Sequence, residues 1–237
     1  MWLNRTELLL KKDKLDKLKN AHVLVVGLGG VGSYAVEFLV RNGIGKLTIV
    51  DDDKIEETNL NRQLPALRST IGKYKVEVLE ERIKDIHPEI DLTVINRFLN
   101  PDDFEALLDA AQYDYIIDAI DSVSPKIYLI LAAKRRKIKI VSAMGAGGKT
   151  DPSKVKVSDI SKTRDDFLAR VIRKRLKKHG IHKGVKCVFS TELQDANALQ
   201  MTDNTGFKKS HYGTMSYMPA LFGLYASATV IDYLTKK

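Results

Sequence analysis

The stretch His22-Val23-Leu24-Val25-Val26-Gly27-Leu28-Gly29-Gly30-Val31-Gly32 decides the fold of this 237-residue chain. A short, β-branched apolar strand runs directly into glycines spaced G-x-G-x-x-G, and residues 33–41 are typical of a helix. Glycines let the backbone come close to a ligand, while the free N–H groups and the dipole of a helix favour negative charge. The stretch therefore predicts a cradle for the phosphates of a nucleotide.

Predicted strands and helices alternate along the first two thirds of the chain. The strands run over residues 23–26, 46–50, 91–95, 115–120 and 139–143, and helices over 33–41, 75–86, 102–110 and 126–136 lie between them. Because the strands are apolar on both faces, we expect a mostly parallel sheet with helices on both sides. The predicted fold class is therefore α/β and Rossmann-like, with a smaller C-terminal extension.

The last third of the chain has a different composition. Residues 161–180 hold a strongly basic predicted helix, with an apolar stripe at helical spacing beneath its charged side chains. The segment 195–211 is polar and contains glycine, which is typical of a loop, and an apolar helix is predicted after it over 215–234. A further amphipathic helix, over 8–18, precedes the first strand.

The composition limits the partners and the compartment. The chain carries a formal net charge of +9, which suits an acidic partner such as nucleic acid but also a lysine-rich surface that maintains solubility. Its single cysteine, Cys187, excludes an intrachain disulfide and a zinc site built on Cys-x-x-Cys pairs. The first residues lack an apolar export signal, and Pro219, Gly223 and Asp232 interrupt the apolar C-terminal stretch. A cytoplasmic protein without a membrane span is expected.

Charged and polar residues follow the second and fourth predicted strands. Asp51 ends the second strand, where a dinucleotide fold places an acid that binds the ribose hydroxyls of NAD or ATP alike. A triphosphate also needs cations, and Arg62 and Lys75 can supply them. Asp121 follows the fourth strand, where a carboxylate that faces phosphates is a natural Mg²⁺ ligand. The candidate binding residues are Gly27, Gly29, Gly30, Gly32, Asp51, Asp53, Asn59, Arg62, Gln63, Lys75, Asp121 and Ser122.

These motifs resemble those of the ubiquitin-activating-enzyme-like superfamily of adenylating enzymes, the ThiF/MoeB type. The resemblance rests on Gly27–Gly32, Asp51, Asn59, Arg62-Gln63, Lys75 and Asp121. It implies that residues 1–150 form an ATP-binding, Rossmann-like adenylation domain. In that domain Arg62 and Lys75 would hold phosphates and Asp121 would be tied to magnesium, which makes these three the catalytic candidates. Residues 151–237 would be an extension for substrate binding and dimerisation, packed on the same domain.

Further stretches are similar to the tRNA threonylcarbamoyladenosine dehydratases. They are Arg5–Leu9, Gly29–Tyr34, Thr58–Gln63, Asp118–Ser122, Gly145–Gly148 and Cys187–Glu192. The resemblance implies ATP-dependent adenylation of the threonylcarbamoyl carboxylate on an adenosine beside the anticodon. Ring closure to the cyclic form follows, with release of AMP and pyrophosphate. The basic helix, Arg164–His179, would then contact the tRNA backbone, or it would be only the solvated face of an amphipathic helix.

The resemblance also implies partners and leaves alternatives open. Relatives form homodimers in which an N-terminal arginine, here Arg5, can reach the partner's nucleotide. A partner from a cysteine-desulfurase pathway is a further expectation. Cys187 is either a thioester nucleophile, as in ubiquitin-activating enzymes, or a small buried apolar side chain. The alternative functions are an activator of a small sulfur-carrier protein, against which the missing zinc cysteines argue, and a nucleotide- or NAD-binding module without turnover.

Overall fold

A seven-stranded sheet forms the centre of the computed structural model, which describes residues 2–201 and 210–236. Its strands are β1 (His22–Val26), β2 (Lys46–Val50), β3 (Asp91–Ile95), β4 (Tyr115–Asp118), β5 (Lys139–Ala143), β6 (Val155–Asp159) and β7 (Lys186–Ser190). They lie in the order β3-β2-β1-β4-β5-β7-β6, and each neighbouring pair is parallel except β7 with β6. The predicted Rossmann-like α/β fold is confirmed.

Helices cover both faces of this sheet. The described residues form α1 (Asn4–Leu10), α2 (Lys12–Asn20), α3 (Gly32–Arg41), α4 (Lys75–Ile86), α5 (Pro101–Ala110), α6 (Val123–Arg135), α7 (Phe167–Lys178) and α8 (Tyr217–Lys236). Successive strand residues point to opposite faces, so Val23 and Val25 pack in the core with α3, α4 and α8, while Leu24 and Val26 pack in the core with α5, α6 and α7. With both faces covered, a ligand can reach the sheet only at its ends.

Several elements differ from their predicted bounds, and two of these differences have a clear local cause. The helix predicted over 8–18 is divided at Lys11, whose φ of 69° lies outside the helical range. The fourth strand ends at Asp118 instead of residue 120, because the Asp118 carboxylate accepts a hydrogen bond from the Ile120 N–H (3.1 Å). The chain therefore turns out of the sheet before it reaches the candidate site residues.

The basic helix also begins later than the sequence predicts. Asp166 caps α7 by accepting a hydrogen bond from the Ala169 N–H (2.9 Å), so the helix runs from Phe167 to Lys178. Arg164 lies before this cap and His179 after the last helical residue. The predicted range Arg164–His179 is therefore too long at both ends.

The last third of the chain contributes to the same sheet. β7 pairs with β5, and β6 closes the edge beside it, although the sequence analysis predicted neither strand. The segment 195–211, predicted as a loop, contains β8 (Leu199–Met201), which pairs with β9 (Ser210–Tyr212). Residues 202–209 of that segment lie outside the described residues. The roles assigned to the segments before and after residue 150 stay predictions.

The C-terminal helix α8 packs closely against α3 and the glycine turn. A Cβ at Gly223 would lie 2.4 Å from the Val31 carbonyl oxygen, so only glycine allows this approach. Pro219 of the same helix lies 3.0 Å from the position that a Cβ at Gly30 would take. No helix within the described ranges is long and apolar enough to cross a membrane.

Two fully buried ion pairs lie behind the carboxyl edge of the sheet. The Lys126 ammonium on α6 lies 2.8 Å from the Asp118 carboxylate at the end of β4, and the Ser142 hydroxyl donates to the same carboxylate (2.6 Å). The Lys149 ammonium, after β5, lies 2.7 Å from the Asp166 carboxylate that caps α7. Each pair therefore ties a strand end to a helix.

We expect Lys126→Met to lower the free energy of unfolding by about 3–5 kcal/mol, because it leaves the Asp118 charge buried without its partner. Urea unfolding followed by circular dichroism measures the loss. The matched control is Lys12→Met, which breaks an exposed pair with Asp16 and should change the stability much less, because water screens both charges. Equal losses in the two variants would show that burial does not determine the energetics of these pairs.

Candidate functional site

The glycine turn joins the end of β1 to the beginning of α3. Gly27 has a φ of 88°, and a Cβ there would lie 2.8 Å from the Ala119 carbonyl oxygen. A Cβ at Gly32 would lie 1.7 Å from the Gly27 carbonyl oxygen. Both positions therefore require glycine. The turn brings the ends of β1 and β4 together and leaves backbone at the start of α3 that an anion can approach.

Asp51 and Lys75 form a buried charged network beside this turn. The Asp51 carboxylate accepts hydrogen bonds from the Leu28 N–H (2.6 Å) and the Asp53 N–H (2.9 Å). Burial raises the pKa of Asp51, and the Lys75 ammonium, 3.8 Å from Asp51 Oδ1, acts in the opposite direction. Lys75 is itself buried, and its Nζ lies 2.6 Å from Asp53 Oδ2. The structure thus brings the predicted ribose acid and the predicted phosphate lysine together.

Arg62 and Asp121 come from different strand ends and interact electrostatically. The Arg62 guanidinium donates to the Thr58 carbonyl (2.7 Å) and to Asn61 Oδ1 (2.9 Å). Partial burial lowers the pKa of Arg62, while the Asp121 carboxylate raises it. The backbone carbonyl of Arg62 lies 3.2 Å from the position of a Cβ at Gly30, so the loop that carries Arg62 packs against the glycine turn. Asp121 follows β4, whose end this turn also contacts at Ala119.

Asn59 and Gln63 lie on the same loop but have different surroundings. Asn59 is buried and its Oδ1 accepts a hydrogen bond from the Glu56 N–H (3.1 Å), so it stabilises the short 3₁₀ helix Glu57–Asn59. The Gln63 amide nitrogen lies 3.7 Å from the position of a Cβ at Gly29. Its Oε1 is buried and has no hydrogen-bond partner among the residues that the structure describes. Gln63 therefore brings a buried amide oxygen without a described partner close to the glycine turn.

Two places at this edge of the sheet could hold a cation: the cluster Asp51–Asp53 and the single carboxylate of Asp121. Asp51, Asp52 and Asp53 have oxygens within 4.8 Å of one another, but two of these acids already face the Lys75 ammonium. Asp121 is exposed, and its Oδ1 accepts a hydrogen bond from the Ser122 hydroxyl (3.2 Å). Mg²⁺ in nucleotide sites takes one or two carboxylates together with phosphate oxygens. A single exposed acid such as Asp121 fits that donor set.

Hydrogen bonds join the loop after β5, residues 145–151, to the residues that follow β7 and to the start of α8. The sequence analysis did not identify these residues as functional. Lys149 donates to the Gly145 carbonyl (2.7 Å), and Gln194 donates to the Gly147 carbonyl (3.0 Å). The Glu192 carboxylate accepts hydrogen bonds from the N–H groups of residues 150 and 151 (3.0 and 2.8 Å), and the Tyr217 hydroxyl donates to the Thr150 carbonyl (2.9 Å). Gly145–Gly148 and Glu192 belong to stretches that carry the family resemblance, whereas no signal in the sequence marked Lys149, Gln194 or Tyr217.

Arg5 and Cys187 lie away from these residues. Arg5 is exposed on α1, and within the described chain it makes no hydrogen bond or ion pair with a candidate site residue. Cys187 is fully buried in β7, and burial raises the pKa of its thiol well above the ordinary value. A buried, protonated thiol is a poor nucleophile, so the structure favours the apolar role for Cys187.

Most of the exposed residues of α7 are basic. Ala169, Ile172 and Leu176 are buried, while Arg173 turns inward and donates to the Thr163 carbonyl (2.8 Å). The exposed cations are Arg170, Lys174, Arg175, Lys177 and Lys178, and none of them has an ion pair with a described residue. The helix contains no acidic residue. Its outer surface therefore carries a concentrated positive charge.

Known proteins resemble this chain over nearly its whole length. Residues 3–237 match the ThiF family. The tRNA threonylcarbamoyladenosine dehydratase of Bacillus subtilis is 40% identical over 240 residues, which cover 98% of this chain and 94% of that protein. The enzyme of the same name from Haemophilus influenzae is 42% identical over 235 residues, which cover 95% of this chain and 90% of that protein.

A solved structure shows the same likeness in three dimensions. The Escherichia coli tRNA N6-threonylcarbamoyladenosine dehydratase, crystallised in complex with ATP, superposes with a TM-score of 0.89 at 40% sequence identity. The match covers 99% of this chain and 93% of that one. These comparisons confirm the resemblance drawn from the sequence: the chain belongs to the ThiF family.

Proposed function

We propose that the protein uses ATP to adenylate the carboxylate of the threonylcarbamoyl group on tRNA threonylcarbamoyladenosine and closes it to the cyclic form. The net reaction is a dehydration that releases AMP and pyrophosphate. The observation that carries the proposal is a glycine turn packed against the end of β4 and against the loop that carries Arg62, in a chain similar over nearly its whole length to dehydratases of that name. The E. coli relative was crystallised with ATP, which supports ATP as the nucleotide.

This reaction needs alignment and charge stabilisation more than it needs an enzyme nucleophile. A carboxylate oxygen of the substrate attacks the α-phosphorus, the bond to the bridging oxygen breaks, and pyrophosphate leaves with the electron pair. An atom of the same threonylcarbamoyl group then attacks the activated carbonyl carbon, and AMP leaves with the former carboxylate oxygen. We assign to Arg62 the stabilisation of the charge that develops on the phosphates in the first step.

Asp121 is the residue that we assign to Mg²⁺. When bound, the ion would neutralise negative charge on the triphosphate. The chain's own part is to hold the carboxylate in place: it follows the turn at the end of β4, and the Ser122 hydroxyl donates to its Oδ1.

Lys75 connects the ribose acid to the phosphates in this proposal. Its charge opposes the rise in the Asp51 pKa that burial causes, and so favours a carboxylate that can accept ribose hydroxyls. A phosphate that approaches Lys75 would compete with Asp53 for the ammonium group. The Asp53 side chain is 66% exposed, so water can solvate its carboxylate when that happens.

The outer face of α7 is the surface that we assign to the tRNA backbone. Its cations have no carboxylate partners among the described residues, so they are available to phosphates. Neutralising phosphates releases counterions, and tRNA binding should therefore weaken steeply with added salt.

A homodimer is the assembly that we propose. Leu8 (66% exposed) and Leu9 (81% exposed) on α1, together with Leu224 and Tyr225 on α8, present apolar side chains to solvent. A groove of about 360 Å³, lined by residues of α1, α3 and α8, lies on this side of the molecule. Exposed apolar surface of this kind marks interfaces. Arg5 lies on the same helix as Leu8 and Leu9, so a partner packed there could receive its guanidinium.

Replacing Asp121 or Arg62 by alanine should slow ATP-dependent dehydration by at least about 100-fold, because each change removes charge stabilisation at the reacting phosphates. The assay combines protein, ATP, Mg²⁺ and modified tRNA, and mass spectrometry detects the loss of one water from the nucleoside. Asp85→Ala and Arg68→Ala make the same charge changes on exposed surface and should retain activity. Near-normal turnover by both site variants would contradict the site, and pyrophosphate release that requires a carrier protein's C-terminal glycine would contradict the function.

Cys187→Ala should retain most of the dehydration rate, because the buried thiol does not take part in the proposed steps. Iodoacetamide should alkylate Cys187 in urea but not in the native protein, since the raised pKa and the burial both suppress the thiolate. A variant that is folded, binds ATP and yet has no activity would restore the nucleophile hypothesis.

Mixing two inactive variants tests whether Arg5 acts across the dimer. Arg5→Ala and Asp121→Ala homodimers should each be inactive, whereas equal amounts unfolded and refolded together should recover about a quarter of the wild-type activity. Half of the dimers are then mixed, and one of their two sites has both residues intact. No recovery, or a monomeric wild-type protein with full activity by light scattering, would contradict the arrangement.

A further inference from the structure

A cleft of about 400 Å³ lies between α6 and α7, next to the residues assigned to ATP but not among them. It is lined by Ser124, Ile127, Tyr128, Arg175, Lys178 and His179. Ile127 is buried and forms an apolar floor, and the Tyr128 ring is 40% exposed beside it. The residues from α7 and the position after it form a basic rim. The cleft therefore offers an aromatic surface and cations at the same place.

A hydrogen bond holds Arg175 at the rim of the cleft, and no carboxylate of the described chain neutralises either rim cation. Arg175 Nη1 donates to the Ser124 hydroxyl (3.2 Å), which draws the guanidinium across from α7 to the first turn of α6. Neither Arg175 nor Lys178 has an ion pair with a carboxylate of the described chain. A site with two unpaired cations and no acid in its lining is suited to a phosphate group.

The cleft adjoins the proposed catalytic edge. Ser124 follows Asp121 by three residues, so the two Cα atoms are at most about 11 Å apart. A nucleotide held in the cleft would therefore be a close neighbour, along an RNA strand, of a nucleotide presented to Asp121 and Arg62.

We propose that this cleft binds an unpaired nucleotide of the substrate RNA loop that neighbours the reacting adenosine. Its base stacks on Tyr128, and its phosphate lies against Arg175 and Lys178. Proteins recognise single-stranded RNA loops by this combination of aromatic stacking and cationic contacts. The inference rests on the proposed function and adds to it the place where the loop is held. An acidic protein segment would use the same cations but has no base to stack on the ring.

The stacking contact is tested with substrate tRNAs in which the base on either side of the modified adenosine is removed and the backbone is kept. For the wild-type protein, one of the two abasic substrates should raise KM by roughly fivefold to 100-fold, with little change in kcat. Tyr128→Leu should raise KM for intact tRNA by a similar factor. It should show no further increase with that abasic substrate, because the two changes remove the same contact. Tyr128→Phe keeps the ring and should resemble the wild type.

The phosphate contact is tested by tRNA binding without ATP, measured by fluorescence anisotropy at several salt concentrations. Arg175→Gln and Lys178→Gln should each weaken binding and reduce the slope of log affinity against log salt by about 0.7. The matched control is Lys14→Gln, the same charge change on the exposed face of α2. ATP affinity and melting temperature should be unchanged in every variant, which separates a lost contact from a misfolded protein.

Failure of the inference and failure of the proposed function give different results. If the wild-type protein dehydrates tRNA but neither abasic substrate changes KM, or if Tyr128→Leu and Arg175→Gln both keep the wild-type KM, the cleft does not hold the RNA loop. The same result is expected if the cleft binds an acidic protein segment instead of RNA. If the wild-type protein does not dehydrate tRNA, the proposed function is wrong. The anisotropy measurements then still test whether the cleft binds RNA. Unchanged tRNA binding by Arg175→Gln and Lys178→Gln would show that it does not.

Discussion

Contacts between backbone atoms at the glycine turn are the constraint on which the rest of the site depends. The Cα of Gly32 lies against the Gly27 carbonyl, and Gly27 lies against the Ala119 carbonyl just past the end of β4. Any side chain at these positions would separate β1 from β4. The distance between the phosphate cradle and Asp121, which follows β4, is therefore set by the absence of side chains and not by a side-chain contact.

Ion pairs of buried lysines hold in place the loops that this packing brings together. Behind three strand ends a buried ammonium faces carboxylates: Lys75 with Asp51 and Asp53, Lys126 with Asp118, and Lys149 with Asp166. Such pairs add little net stability compared with apolar packing, but each partner is costly to leave alone. They therefore favour one loop arrangement over others. That is what a reaction depending on alignment requires, since small displacements of reacting groups are costly.

Local patterns account for what the sequence could predict. β2, β3, β5 and α4 have their predicted bounds because apolar periodicity is a local signal. β6 is only partly buried and pairs with β7, distant in sequence, so no local pattern revealed it. At the site, strand ends predicted Asp51, Arg62, Lys75 and Asp121, but not the Lys75–Asp53 ion pair, which depends on loop and side-chain geometry. The cysteine-desulfurase partner stays a prediction.

The packing of α8 on the glycine turn has a consequence for how the protein is made. Gly223 and Pro219 support a turn that lies near the other end of the described chain. Synthesis proceeds from the N-terminus, so the ribosome produces the turn long before the helix that backs it. Until α8 emerges, the nascent chain carries the residues of the nucleotide site but exposes the apolar side of α3. The apolar side of α3 is therefore covered only when nearly the whole chain has been made, and the interval before that is when the chain most needs protection from aggregation.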